Sequence, residues 1–155
     1  MGDEIGLLND YTYRDHPDLA GDARWMHRPA MVWPAIDWAA VATIPKGSSA
    51  AARIYSGTKA ILATRKASPQ LASHVPTRIV DLGHPGLFIF ERLGCDRTVT
   101  CLFNFTDSDQ TITPWGLQLD PARRYGDLLT GQQLGLKNGA IHLAPYARLW
   151  LIPQG

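Results

Sequence analysis

After residue 75 the chain alternates hydrophobic and polar positions in short bursts, each closed by Gly, Asp, Asn or Pro. The bursts are "TRIVDL", "GLFIFERL", "RTVTCLFNF", "QTITP", "YGDLLTG", "AIHLAP" and "RLWLI". In the third, Val99, Cys101, Phe103 and Phe105 alternate with Thr98, Thr100, Leu102 and Asn104. That period of two predicts a half-buried strand. Short strands at such spacing predict an antiparallel β-sandwich of about 80 residues.

Upstream the period changes. Ile54, Tyr55, Thr58, Ile61 and Leu62 recur at the spacing of one helix face, with Ser48 or Ser49 as N-cap candidates. Lys59, Arg65 and Lys66 lie toward the end where cations suit the helix dipole, and Pro69 stops the run. One amphipathic helix is expected. Residues 1–34 show neither period; Gly2, Gly6, Gly21, Pro17, Pro29 and Pro34 sit among scattered charges. They predict a long loop with at most one short helical turn. Loops of that length inside compact proteins are usually functional or disordered, and Trp25, Trp33 and Trp38 argue for order.

Composition narrows the function classes. The 155 residues suit one ordinary domain or a small domain plus a fragment, and 45% hydrophobic residues can bury a core. Fifteen Lys and Arg stand against fourteen Asp and Glu, so no basic stripe marks a nucleic-acid partner. No window approaches the ~20 apolar residues of a membrane span, and no basic-then-apolar leader opens the chain. A soluble, cytoplasmic protein is expected. Cys95 and Cys101 fall within one predicted strand region, about 20 Å apart if extended, too far for a disulfide. They are expected to be free thiols, and they lack the spacing of a zinc site. No metal and no cofactor is expected.

The segment "GDEIGLLNDYTYRDHPDLAGDARWMHRPAM", with G-D-E-I-G, L-N-D-Y and R-W-x-H-R-P in order, resembles the stretch after the eighth barrel strand of amylosucrases. These are sucrose-using members of glycoside hydrolase family 13. "AAARIYSGTKAILATRKASPQL" resembles their last barrel helix, and "LFNFTDSDQTIT" with "LAPYARLWL" resembles their C-terminal sandwich. The resemblance spans nearly the whole chain. It implies a mainly β fold in which residues 1–72 end a (β/α)8 barrel and residues 73–155 form the C-terminal antiparallel β-sandwich. Met1 stands where the family has an apolar residue ending a strand, which fits an internal start codon at least as well as a true one.

The resemblance also implies a chemistry and where it lies. Family 13 enzymes are retaining, with a nucleophilic and an acid/base carboxylate about 5 Å apart. In the family these groups come from barrel strands upstream of the matching stretch. No catalytic residue is therefore assigned here. Asp3, Glu4, Asp10, Asp15, Asp18 and Asp22 crowd a loop with no rigid element ahead of it, whereas catalytic groups need positioning within roughly 0.5 Å. Local hydrogen bonds are the expected role of Asp3 and Glu4. His16 and His27 have no triad or metal company and are expected to pack or hydrogen-bond.

One substrate contact is implied by the R-W-x-H-R-P match. In amylosucrases an arginine of this loop pairs with an acid across the bottom of the glucosyl pocket; the match carries that role to Arg24, with Arg28 as the alternative. A forked guanidinium suits a carboxylate or vicinal sugar hydroxyls. Trp115, Tyr125, Tyr146 and Trp150 offer flat faces for a sugar platform, although core or interface packing is the simpler expectation for Trp150.

Two readings follow. In the first, the chain is the C-terminal portion of an amylosucrase-like α-glucosyl transferase or sucrose hydrolase, inactive alone, meeting sucrose or α-glucan only within the full enzyme. The helix face would then lack its barrel strands, and the chain folds back or self-associates. In the second, it is a stand-alone carbohydrate-binding or interaction module with exposed, coplanar aromatics.

Overall fold

The computed structural model describes residues 2–36, 49–136 and 138–154. Two compact units divide the chain, Met1–Leu62 and Ala63–Gly155. Trp38 and the N-cap candidate Ser48 lie outside the described residues.

Among its described residues the first unit holds four 3-10 turns, Asp3–Ile5, Thr12–Asp15, Ala23–His27 and Trp33–Ala35, where the sequence predicts one at most. Their origin is local. Asp10 accepts hydrogen bonds from the Thr12 backbone N–H at 2.9 Å and from its hydroxyl at 2.7 Å. Asp22 accepts from the Arg24 N–H at 3.0 Å. Such side-chain caps close a turn without any hydrophobic period, so a periodicity search passes over them.

Helix α1 runs Ala50–Ala67. Ser49 is its N-cap, its Oγ accepting the Ala52 N–H at 3.2 Å, which settles the choice between the two serines. Arg65 and Lys66 occupy the last turn. The expected apolar face is less covered than its spacing suggests: only Ala52 is buried, while Ile54 and Leu62 are exposed. A fifth 3-10 turn, Pro69–Leu71, ends the run.

The second unit carries eight strands among the described residues: β1 (Thr77–Ile79), β2 (Leu87–Leu93), β3 (Thr98–Asn104), β4 (Gln110–Ile112), β5 (Arg124–Asp127), β6 (Gln133–Gly135), β7 (Ile141–Leu143) and β8 (Arg148–Pro153). Each expected burst supplies one. The "YGDLLTG" burst is strand only to Asp127, because Asp127 then caps a turn through the Leu129 N–H and the Thr130 hydroxyl. Strand β6 was not expected; three residues with one half-buried leucine give too short a period to stand out.

Six strands form one sheet in the order β1-β2-β3-β8-β5-β6, and β4 pairs with β7 in a second. All pairings are antiparallel. Ile89, Leu102, Tyr125 and Leu151 of the large sheet cluster with Ile112, Ile141 and Leu143 of the small one, and this is the sandwich core. Burying a Leu or Ile contributes about 2 kcal/mol each before entropy is counted.

Strand β3 corrects the half-buried reading. Val99, Thr100, Cys101 and Leu102 are all fully buried. Leu102 and Thr100 face the core between the sheets, while Val99 and Cys101 join Leu71 and Ile152 on the opposite face. A central strand covered on both sides buries its intervening positions as well, so a period of two does not mean half-burial there. Asn104 is buried too, its Nδ2 donating to the Ser108 and Ala144 carbonyls at 2.8 and 2.9 Å.

Candidate functional site

Arg24 lies in the turn Ala23–His27, and Arg28 follows it as the C-cap. Arg24 forks onto Asp22: Nε reaches Oδ1 at 2.8 Å and Nη2 reaches Oδ2 at 2.7 Å. The guanidinium holds the Asp22 carboxyl at about 2, below its ordinary 3.8, with the Arg24 backbone N–H adding to the effect. Both groups are solvent-facing, so the pair positions Arg24 more than it stabilises the fold. Arg28 lies over the Trp25 ring at 6.0 Å, a cation–π contact.

Two longer links tie the loop to itself. The Asp10 N–H donates to the Met26 carbonyl at 2.9 Å, and His27 Nδ1 lies 3.2 Å from Asn9 Oδ1. Arg24 and Arg28 are thereby held on a turn pinned back to residues 9 and 10. His27 has a hydrogen-bonding role, while His16 is an exposed residue closing the turn Thr12–Asp15. Glu4 accepts the Gly2 N–H at 3.1 Å, the local bond expected of it. The carboxylates of Asp3, Asp15 and Asp18 are on exposed residues. Among the described residues of this loop, every carboxylate stands on an exposed or half-buried residue.

The buried titratable groups of the sandwich are structural. Glu91 is fully buried. Its Oε2 accepts from Arg78 Nε at 2.9 Å and Nη2 at 2.5 Å, and its Oε1 accepts the Gln118 N–H at 2.6 Å. Asp127 accepts the Trp150 N–H at 2.9 Å and so joins β5 to β8. Burial pushes the Cys101 thiol up to about 12, against the pull of the nearby Arg92 charge. A thiol so shifted is no nucleophile at neutral pH. Both cysteines are free, Cys95 being exposed and Cys101 buried. Among the described residues no three His, Cys, Asp or Glu side chains gather as a metal site would need.

The four aromatic candidates part company. Tyr125 is buried, and its hydroxyl accepts the Asp120 N–H at 2.6 Å. Trp150 is half-buried on the outer face of the large sheet, packed with Val99, Cys101 and Ile152. Trp115 and Tyr146 are exposed, at 86% and 65%. On that same outer face sequence reasoning missed an aromatic row. Phe90 and Phe103 stack at 6.0 Å, Phe103 and Phe105 at 6.3 Å, and Phe88 lies 5.6 Å from Phe90. Phe88 and Phe105 remain exposed, at 43% and 66%. The F-x-F repeats in "GLFIFERL" and "LFNF" were the available signal.

Comparison with known proteins gives two results. Residues 77–152 match the family described as amylosucrase, C-terminal domain. Solved structures share the fold at low identity. AmyP in complex with maltotriose is 20% identical with a TM-score of 0.57, over 69% of this chain and 22% of that one. An Anoxybacillus α-amylase is 17% identical with a TM-score of 0.55, over 71% and 24%. The trehalulose synthase MutB from Pseudomonas mesoacidophila is 16% identical with a TM-score of 0.52, over 65% and 18%. The chain thus spans about a fifth of the length of these enzymes.

Proposed function

We propose, from the match of residues 77–152 to the amylosucrase C-terminal domain family, that the chain serves as the C-terminal portion of an amylosucrase-like α-glucosyl transferase or sucrose hydrolase. The parent cleaves sucrose with retention, releases fructose, and passes glucose to an α-glucan or to water. Residues 1–72 are the end of its catalytic barrel and residues 73–155 its sandwich. The chain alone is inactive.

The observation that carries this reading is the extent of the family match. Its limits, residues 77 and 152, coincide with the first residue of β1 and nearly the last of β8, so the whole strand assembly is matched. The apolar surface supports it. Leu8, Val32, Trp33, Ile54 and Leu62 are exposed in the first unit, and Phe88 and Phe105 on the outer sheet face of the second. Faces of this kind mark interaction sites, and the proposed occupant is the parent barrel. The carbohydrates named for the solved neighbours, maltotriose for AmyP and sucrose for MutB, support the substrate class. Arg24 takes the pocket-closing role by exchanging Asp22 for an acid of the barrel, with Arg28 as the alternative. A free-standing carbohydrate module would present coplanar aromatics, and the burial of Tyr125 and half-burial of Trp150 remove half of the candidate platform.

The test is immunoprecipitation from the source cells with an antibody against the sandwich, followed by sizing and a fructose-release assay on sucrose. A polypeptide several times larger than 17.1 kDa that releases fructose is expected. A 17.1 kDa species alone, or a larger one inert toward sucrose, would contradict the proposal.

A further inference from the structure

The chain has three asparagines, and each meets a different neighbour: Asn9 precedes Asp10, Asn104 precedes Phe105, and Asn138 precedes Gly139. Asparagine is chemically labile because the backbone nitrogen of the next residue can attack its side-chain carbonyl carbon. The attack needs an unhindered nitrogen and a carboxamide free to swing onto it. Glycine, with no Cβ, meets the first demand best.

The fold sorts the three by the second demand. Asn104 is 2% exposed; its Nδ2 donates to the Ser108 and Ala144 carbonyls, and its Oδ1 accepts the Thr106 N–H at 2.9 Å and the Thr106 hydroxyl at 2.7 Å. Asn9 is exposed, but its Oδ1 lies 3.2 Å from His27 Nδ1. Asn138 is exposed, and its carboxamide has no hydrogen-bond partner among the described residues. Its backbone is left-handed at φ 53°, and Gly139 follows at φ 71°. Asparagine tolerates that region better than most side chains, and glycine adopts it freely, so the turn itself calls for this pair. The Gly139 N–H donates to the Leu136 carbonyl at 3.4 Å, near the outer limit of a hydrogen bond, and the space beside its Cα is open.

We propose that Asn138 is a self-modification site, converting to aspartate and isoaspartate with water as the co-reactant. The Gly139 nitrogen gives up its proton and bonds to Asn138 Cγ. The Cγ–Nδ2 bond breaks, and ammonia leaves with that proton. Water then opens the resulting succinimide at either carbonyl. Opening at Cγ leaves an ordinary aspartate; opening at the main-chain carbonyl leaves the chain running through the side chain, as isoaspartate. No electrons are exchanged. The position gives the change a structural consequence, because residues 136–140 carry the chain from β6 in the large sheet to β7 in the small one. Leu136 packs against the core at one end of this link, and Ile141 is buried in it at the other. Either product adds a negative charge there, and isoaspartate also inserts a methylene between the two core anchors.

The test is to age the 155-residue chain at mildly alkaline pH, folded and in urea. Its peptides are then mapped by mass spectrometry with electron-transfer fragmentation, which separates aspartate from isoaspartate. In the folded chain Asn138 is expected to react within about tenfold of its rate in urea, whereas Asn104 slows about a hundredfold or more because it must wait for local opening. Gly139→Ala should slow the reaction at Asn138 severalfold, since a Cβ then crowds the attacking nitrogen. Aged wild-type chain should unfold at a lower urea concentration than fresh chain, and aged Asn138→Gln, whose longer arm closes a ring more slowly, should not. Protection of Asn138 equal to that of Asn104, a rate unchanged by Gly139→Ala, or equal ageing losses in wild type and Asn138→Gln would each overturn the proposal.

Discussion

The two units of the chain are held together in different ways. The sandwich has a closed core, with Ile89, Leu102, Leu143 and Leu151 at 2% exposure or less. Of its buried polar residues, Glu91, Asn104 and Asp127 are bonded to other strands or loops. The loop and helix unit is held mostly by bonds between residues two to four apart, and it leaves Leu8 at 86% and Val32 at 60% exposed. The sandwich buries a core of its own, with Phe88 and Phe105 left exposed on its outer face. The other unit leaves large apolar side chains on its surface, as the proposed end of a barrel would.

Substitutions at matched leucines break the comparison most sharply. Leu102→Ala should cost about 3 kcal/mol in urea denaturation, since it opens a cavity in a packed core. Leu62→Ala should stay within about 0.5 kcal/mol, because its side chain is already exposed. Equal losses would mean that the helix face is buried after all.

A smaller effect sharpens the other side. Asp22 is held near 2 chiefly by the Arg24 side chain, below the unfolded value of 3.8. A depressed carboxyl adds stability that is present above pH 3.8 and lost as pH falls through about 2. For so exposed a pair the amount is slight, and the readout is the titration itself. The Asp22 carboxyl carbon signal should titrate near 2 in the native chain, and Arg24→Ala should return it toward 3.8. A midpoint unmoved by Arg24→Ala would dissolve the fork that positions this arginine.

Legibility in the sequence followed the same division. Alternation and turn residues marked the strands of the sandwich because β-structure writes its period directly into side-chain order. It missed β6, where the period was too short, and at β3 it marked the strand but not the burial of both faces. The 3-10 turns of the loop escaped because they depend on single side-chain caps, Asp10 on Thr12 and Asp22 on Arg24. For the site, Arg24 and Arg28 could be picked out only by resemblance to a motif. The aromatic candidates could be told apart only after folding, which leaves Trp115 and Tyr146 exposed and buries Tyr125.

Amide hydrogen exchange along the full chain tests the contrast most directly. The account predicts that β2, β3 and β8 exchange only through global unfolding, while residues 2–36 exchange faster by about 10³-fold or more. Uniform protection across both units would contradict it, because the first unit would then be complete in itself and need no barrel to cover it.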